Sequence, residues 1–198
     1  MRTSSSTVLA AKSKAIPFLD APAKLDGTLA GDYGFDPMGI SEMQDINMLR
    51  TFELKQGRVA QLAAAGFLFQ EILPHIPGPG YDERNPLLAS ASVGLAPNIQ
   101  ILLAAGCVEL ATAANTYGDG EPGNLGWGTK MLEGKTEAQI KEMKVKEIKH
   151  CRLAMLGAIG ALSQNLVTGE GVTASFSKAF FQIPEFTVKA GYYFPEGL

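Results

Sequence analysis

Histidine and cysteine are scarce in this sequence, and their scarcity excludes whole classes of site. The chain has two histidines and two cysteines among 198 residues. A catalytic or metal centre built from several histidines is therefore excluded. Cys107 and Cys151 both lie in apolar, helix-forming stretches, so we expect two buried thiols rather than a disulfide.

The sequence also lacks a dominant charge and a long apolar run. Its formal net charge is -3, with both signs mixed along the chain, so we expect no nucleic-acid partner. The first strongly apolar stretch, residues 59–70, has twelve residues without a charge, whereas a membrane-spanning helix needs about 20. Hydropathy alone therefore permits a soluble helical bundle as well as a membrane protein.

What the sequence does contain is an internal repeat. Residues 53–70 align without a gap on residues 147–164, and nine of the eighteen positions are identical. Agreement at that level predicts two copies of one helical unit. Both copies lack proline and are rich in Ala and Leu, which favours helices.

Each copy contains a glutamate and an arginine five residues apart, Glu53 with Arg58 and Glu147 with Arg152. Five residues place two side chains about 140° apart around a helix, too far for the pairing that a spacing of three or four allows. Unpaired charges beside an apolar run are costly. The repeat therefore predicts exchanged ion pairs, Glu53 with Arg152 and Glu147 with Arg58, across two crossing helices.

Small and basic residues on the two copies indicate how these helices are arranged. Small residues that favour a close crossing are Ala60, Ala64, Ala154, Gly157, Ala158 and Ala161. Basic residues crowd the start of both copies: Arg50 and Lys55 in the first, and Lys141, Lys144, Lys146 and Lys149 in the second. If basic flanks mark one membrane side, both helices enter from that side and an odd number of spans separates them.

The predicted fold is consequently an all-α integral membrane protein with three transmembrane helices. Residues 97–114 are apolar enough to supply the middle span. The first and third helices would form a crossed pair related by a pseudo-twofold axis along the membrane normal.

Polar side chains recur in register along these apolar helices. They are Gln56 and His150, which occupy equivalent positions, Gln70 and Gln164, which do so as well, and Gln100 and Glu109 on the middle helix. Carboxylate and amide oxygens ligate magnesium, and an imidazole nitrogen can also do so when a macrocycle holds the metal. A glutamate neutralised by an arginine can ligate such a metal without leaving net charge in lipid.

Two motifs resemble a known family. The pattern Glu-x-x-His/Asn/Gln-x-Arg-x-Ala-Met-Leu, complete at residues 147–156 and degenerate at 53–62, resembles the signature of the light-harvesting chlorophyll a/b and a/c proteins. Residues 31–39, Gly-Asp-Tyr-Gly-Phe-Asp-Pro-Met-Gly, resemble the loop that precedes the first helix of that family. The resemblance covers residues 25–171.

The resemblance implies that Glu53 and Glu147 ligate chlorophyll magnesium while they pair with Arg152 and Arg58. Further magnesium ligands would be Gln56, His150, Gln164 and Gln100, with Gln70 and Glu109 as two positions at which the family varies. Asp36 would cap a carotenoid end group, and carotenoids would lie in the grooves of the helix pair. No histidine follows Gln164, so the ligand that many green-lineage members have on a short fourth helix is missing.

The implied function is that of a light-harvesting antenna subunit without enzymatic activity, located in the plastid thylakoid membrane. The short loops and the Glu-Ile-Lys-His motif favour the red-lineage, fucoxanthin-type branch, which implies chlorophyll a, chlorophyll c and fucoxanthin or another xanthophyll. Partners would be thylakoid lipids, other antenna subunits and a photosystem core, photosystem I rather than II. Three alternatives stay open: a photoprotective member of the same family, a small membrane transport or channel subunit, and a soluble structural bundle.

We expect three regions along the chain. Residues 1–24 form an N-terminal arm, whose acid-free, Ser/Ala-rich start fits either the end of a transit segment or a disordered arm. Residues 25–171 form the three-helix domain. Residues 172–198 form an aromatic-rich tail that lies along the membrane or on a neighbouring subunit. We also expect His75 in an exposed loop and Trp127 at the membrane interface.

Overall fold

A computed structural model describes residues 12–73, 77–83, 85–118 and 120–175. Within these residues the chain forms the α-helices α1 Ile40–Met43, α2 Ile46–Ile72, α3 Pro86–Ser92, α4 Leu95–Tyr117, α5 Thr129–Leu132 and α6 Glu137–Thr168. Residues 172–175 are helical as well. This part of the chain contains an isolated β-bridge between Lys12 and Asp20 but no β-strand. The predicted all-α class is confirmed, and the two repeat copies lie inside α2 and α6.

Polar caps fix the ends of the two long helices. At the start of α2, the backbone N–H of Met48 donates to Asp45 Oδ2 at 3.1 Å. Thr136 and Gln139 form a capping box at the start of α6, with reciprocal side chain–backbone hydrogen bonds of 3.4 and 3.0 Å. Helix α6 ends at Thr168, and the φ of 69° at the following Gly169 lies in the left-handed region that glycine favours.

One described helix, α4, is long and apolar enough to cross a membrane. It has 23 residues and a mean hydropathy of 1.4, and 6% of its apolar window is buried inside the protein. A core helix of a soluble bundle would be mostly buried, so α4 does not fit that alternative. Helices α2 and α6, with 27 and 32 residues, are also long enough, but charged and polar side chains along them lower their hydropathy. The predicted middle span, residues 97–114, lies inside α4.

The chain divides into two compact units. The first comprises the described residues up to Lys55 together with Ala114–His150. Within it, Lys55 Nζ lies 5.1 Å from the ring centroid of Tyr117, which places the start of α2 beside the end of α4. Lys144, near the start of α6, forms an ion pair with Glu121 in the loop that follows α4. In the first unit, therefore, the starts of α2 and α6 and the end of α4 lie together, beside the basic flank.

The second unit comprises Gln56–Ala113 and the described residues from Cys151 onward. Within it, α2 and α6 meet at Gly57 and Cys151, which are equivalent positions of the repeat. A Cβ atom on Gly57 would lie 2.8 Å from Cys151 Sγ and 3.0 Å from its Cα, so a larger residue cannot fit there without movement. Gln61 Nε2 donates to the same sulfur at 3.5 Å. Equivalent residues meet where two twofold-related helices cross, so this contact supports the predicted crossing.

Burial also follows the repeat. Leu54 and its equivalent Ile148 are buried, with 8% and 1% of their surface exposed. Leu62 and its equivalent Leu156 are exposed to 75% and 74%. Each copy therefore has one buried face and one apolar face that the protein leaves uncovered.

One prediction about the cysteines is wrong. Cys151 is buried, as predicted, but Cys107 is exposed, because α4 presents almost all of its surface outward. Neither cysteine forms a disulfide. Trp127 is 64% exposed. The predictions for His75 and for the aromatic residues between positions 176 and 194 concern parts of the chain outside the described residues.

Candidate functional site

The best-defined candidate ligand is His150 on α6. Its Nδ1 lies 2.8 Å from the carbonyl oxygen of Lys146, one turn earlier. A carbonyl can only accept, so in the neutral imidazole Nδ1 holds the proton and Nε2 presents a lone pair. The side chain is exposed, and Leu153, three residues further on, is 69% exposed. His150 can therefore ligate a metal through Nε2 beside an apolar surface.

Gln56 occupies the equivalent position on α2. It is also exposed, and Val59, three residues further on, is 61% exposed. The two copies thus present the same arrangement, a polar donor followed by apolar surface one turn later. An amide oxygen replaces the imidazole nitrogen in the first copy.

The glutamates of the two copies lie at the edge of the buried face. Glu53 and Glu147 are both partly buried, as are Arg58 and Arg152. The structure reveals a further partner for Glu53, because Arg50 Nη1 lies 3.0 Å from Glu53 Oε2. Arg50 is 9% exposed, and its spacing of three residues was the sequence signal for this pair. In the sequence, Arg50 was recognised only as part of the basic flank. The exchanged ion pairs stay predictions.

The remaining predicted ligands lie further along the helices. Gln100 and Glu109 are exposed on α4. Gln70, near the end of α2, donates from Nε2 to the carbonyl oxygen of Glu83 at 2.6 Å. Gln164, its equivalent on α6, is partly buried. Their roles as ligands stay predictions.

Asp36 has a structural role that the sequence analysis missed. Its Oδ1 accepts from the backbone N–H of Ile40 at 3.1 Å and its Oδ2 from that of Ser41 at 2.8 Å, so the carboxylate caps α1. Burial raises the pKa of Asp36, but hydrogen bonds from Ser41 and from the backbone outweigh burial and hold the pKa below its ordinary value. The predicted contact with a carotenoid end group stays a prediction.

Glu71, at the end of α2, is a second residue that the sequence analysis missed. Its carboxylate accepts hydrogen bonds from the backbone N–H groups of Val172 and Thr173, each at 2.6 Å. Val172 and Thr173 lie about a hundred residues from Glu71 in the sequence, so no local motif could have indicated the contact.

The candidate ligands are spaced singly along three helices. In the part of the chain that the structure describes, no group of three or more His, Cys, Asp or Glu side chains is placed to hold a metal ion. Single oxygen or nitrogen donors fit a magnesium ion whose other positions a macrocycle fills. Four of the candidate donors are exposed: Gln56, Gln100, Glu109 and His150. The exposed apolar side chains beside His150 and Gln56 fit the flat, apolar body of such a macrocycle.

Comparisons with known proteins identify the family of the chain. Residues 21–166 match the family described as Chlorophyll A-B binding protein. The chain is 33% identical over 177 residues to chlorophyll a-b binding protein 7 of Solanum lycopersicum, covering 76% of this chain and 64% of that protein. It is 31% identical over 177 residues to the fucoxanthin-chlorophyll a-c binding protein of Chattonella marina var. antiqua, covering 84% and 81%.

A third relative is photosystem I chlorophyll a/b-binding protein 3-1 of Arabidopsis thaliana, 34% identical over 187 residues. That match covers 74% of this chain and 67% of the relative. The chain belongs to the chlorophyll a-b binding protein family. It spans about two thirds of the length of these two plant relatives and 81% of the Chattonella protein.

Proposed function

We propose that this chain is a light-harvesting antenna subunit of the plastid thylakoid membrane. It binds chlorophylls and carotenoids and passes excitation energy to a photosystem. This proposal depends on the geometry of His150. The hydrogen bond between its Nδ1 and the carbonyl oxygen of Lys146 leaves Nε2 as the ligating atom, and Nε2 lies on an exposed, apolar helix face. The equivalent placement of Gln56 on α2 supports the same role in the first copy.

Chlorophyll magnesium is ligated by one side chain at each site. The ligands are Glu53, Gln56, Gln100, Glu147, His150 and Gln164, with Gln70 and Glu109 as further candidates. Bound pigments absorb light and exchange excitation energy, and the residues of the chain fix where each pigment lies. Rigid helices suit that task because they hold each donor atom at a constant spacing.

The glutamate ligands are neutralised by exchanged ion pairs, Glu53 with Arg152 and Glu147 with Arg58. This arrangement leaves no net charge at either site in the apolar part of the membrane. Arg50, 3.0 Å from Glu53, adds a second cation to the first site.

The three-helix domain, residues 25–171, spans the membrane through α2, α4 and α6. In the first unit, the start of α2 lies beside the end of α4, which supports an up-and-down order for these two helices. The exposed apolar residues of α2 and α6, such as Leu62 and Leu156, support contact with lipid and pigments. Residues 1–24 form an arm before this domain, and residues 172–198 form a tail after it.

The pigments are chlorophyll a, chlorophyll c and a xanthophyll of the fucoxanthin type, with Asp36 at one carotenoid end group. The Chattonella relative, named for fucoxanthin and chlorophyll a-c, supports this set. The Arabidopsis relative, named for photosystem I, supports photosystem I as the partner, together with other antenna subunits and thylakoid lipids.

The decisive experiment is spectroscopy of the native protein purified in detergent. We expect chlorophyll absorption, with carotenoid bands visible in the excitation spectrum of chlorophyll fluorescence. Pigment extraction then identifies the chlorophylls and the carotenoid. A folded but colourless protein would contradict the proposal. Fluorescence that is strongly quenched in the isolated subunit would instead favour a photoprotective member of the family.

A further inference from the structure

The carboxylate of Glu71 holds the chain segment that follows α6. Its Oε1 accepts from the backbone N–H of Val172 at 2.6 Å, and its Oε2 accepts from the backbone N–H of Thr173 at 2.6 Å. The hydroxyl of Thr173 also donates to Oε2. Hydrogen bonds to an ionised carboxylate are about twice as strong as those between neutral groups. Glu71 therefore anchors this segment to the end of α2.

Gly171 makes room for the carboxylate. A Cβ atom at this position would lie 2.6 Å from Glu71 Oε1 and 2.7 Å from Oε2, closer than real Cβ atoms come to other atoms. A glutamate side chain is flexible and could move away in general. Here three donors hold it in place, so a larger residue at position 171 would have to displace the carboxylate from them.

Other polar contacts hold the same segment, residues 169–173, within the second unit. Asn165 Nδ2 donates to the carbonyl oxygen of Glu170 at 3.0 Å, and Asn85 Nδ2 donates to that of Gly169 at 2.9 Å. Asn165 is the repeat equivalent of Glu71. The residues that directly follow the two copies thus bind the same segment, Glu71 through its carboxylate and Asn165 through its amide.

This segment begins just over one helical turn after the predicted ligand Gln164. The hydroxyl of Thr168 donates to the carbonyl oxygen of Gln164 at 2.8 Å, so the last turn of α6 links Gln164 to Gly169. Any movement of residues 169–173 would loosen that turn, because the backbone N–H of Gly169 closes it onto Asn165 at 2.8 Å.

We propose that Glu71 is a positioning residue, which fixes residues 169–173 and thereby sets the position of Gln164 as a pigment ligand. The second half of this proposal rests on the proposed pigment-binding function, and the first half does not. Helix α2 thus helps to build a site on α6, although Glu71 does not ligate the pigment itself.

The test uses the full-length, pigment-loaded protein in detergent and the substitution Glu71→Gln, with Glu133→Gln as a matched control at an exposed position. The first readout is hydrogen exchange of the peptide that covers residues 170–175. The second is the low-temperature absorption spectrum. The difference between wild type and Gln164→Ala defines the band of the Gln164 pigment, and the difference between wild type and His150→Ala defines a reference band.

We expect Glu71→Gln to speed exchange at Val172 and Thr173 by about tenfold or more, since charge-assisted hydrogen bonds are lost. It should shift or weaken the Gln164 band and leave the His150 band unchanged. Gly171→Ala should produce the same pattern without altering Glu71, and it serves if Glu71→Gln fails to fold. Glu133→Gln should change neither readout.

Unchanged exchange at residues 172 and 173 would overturn the role of Glu71 as an anchor. Faster exchange with an unmoved Gln164 band would overturn the positioning role. Wild-type protein without pigment would contradict the proposed function, and the exchange rates would still decide whether Glu71 anchors the segment.

Discussion

Equivalent residues of the two repeat copies have similar burial at several positions, but they differ in size at the point where the two helices cross. Leu54 and Ile148 are both buried. At the crossing point, however, the first copy has Gly57 and the second has Cys151. Equivalent residues face each other across a twofold axis, so two side chains of equal size would compete for one space. At the axis, therefore, one copy must have the smaller residue, and here it is Gly57.

The largest expected effect comes from the exchanged ion pairs between the two copies. We expect Glu147→Arg and Arg58→Glu each to destabilise the protein by about 3–5 kcal/mol, because each substitution leaves an uncompensated charge in an apolar setting. The double variant should recover most of the loss. The measurement is the thermal midpoint of pigment release and unfolding for the purified protein.

The other pair, Glu53 with Arg152, sharpens the comparison. Arg50 lies 3.0 Å from Glu53, whereas the equivalent residue in the second copy, Lys144, pairs with Glu121. An arginine at position 53 would therefore face Arg50, so Glu53→Arg with Arg152→Glu should recover less than the first double variant. If neither double variant recovers any stability, the exchanged ion pairs are wrong.

The crossing point gives the next largest effect. Gly57→Ala places a Cβ atom 2.8 Å from Cys151 Sγ, and we expect it to cost about 1–3 kcal/mol of unfolding free energy through overpacking. The swap Gly57→Cys with Cys151→Gly should recover most of this cost, because the two positions are equivalent. Thermal unfolding followed by circular dichroism would measure both.

Gly66→Ala is the control for this substitution, because a Cβ atom at Gly66 meets nothing within 4 Å. Alanine favours helices over glycine, so Gly66→Ala should be neutral or stabilising by up to about 1 kcal/mol. Equal losses at positions 57 and 66 would contradict the crossing contact as the source of the cost at Gly57.

The sequence predicted the long helices well because a repeat of apolar and charged residues is a regular signal. It did not indicate Gly57, because nine of the eighteen aligned positions differ and nothing in the sequence marks position 57 as the one at the crossing point. It placed Cys107 inside the protein because apolar sequence normally implies burial, whereas α4 is exposed. Glu71 was missed for another reason: its partners, Val172 and Thr173, are distant in sequence and contribute mainly backbone groups.

The ligand positions Gln56 and His150 predict a smaller difference between the copies. An imidazole nitrogen is a stronger magnesium ligand inside a macrocycle than an amide oxygen, so His150→Gln should weaken retention of a single chlorophyll. Gln56→His should strengthen retention at its own site. We expect changes of about tenfold in retention, equivalent to about 1.4 kcal/mol. Pigment-to-protein ratios during detergent washing would measure them, and equal retention in all variants would contradict both ligand assignments.

The smallest expected difference lies in the short helices that precede the two copies. Helices α1 and α5 each begin after a left-handed glycine, Gly39 and Gly128. The residue three positions before Gly39 is Asp36, which caps α1, whereas the residue three positions before Gly128 is Leu125. Of these two positions, only the one before α1 has a carboxylate, whose ionisation stabilises that helix.

A pH titration isolates this contribution. The pKa of Asp36 is lowered in the folded protein, so its ionised form stabilises the fold above the ordinary value of 3.8, and the stabilisation disappears as the pH falls through the lowered folded value. We expect Asp36→Asn to cost about 1 kcal/mol near neutral pH, since loss of a cap costs about that much, and progressively less below pH 3.8. Leu125→Asn, a control at the corresponding position, should show no such pH dependence. If wild type and Asp36→Asn differ by the same amount at all pH values, the ionised carboxylate is not what stabilises α1, and the two short helices are held in the same way.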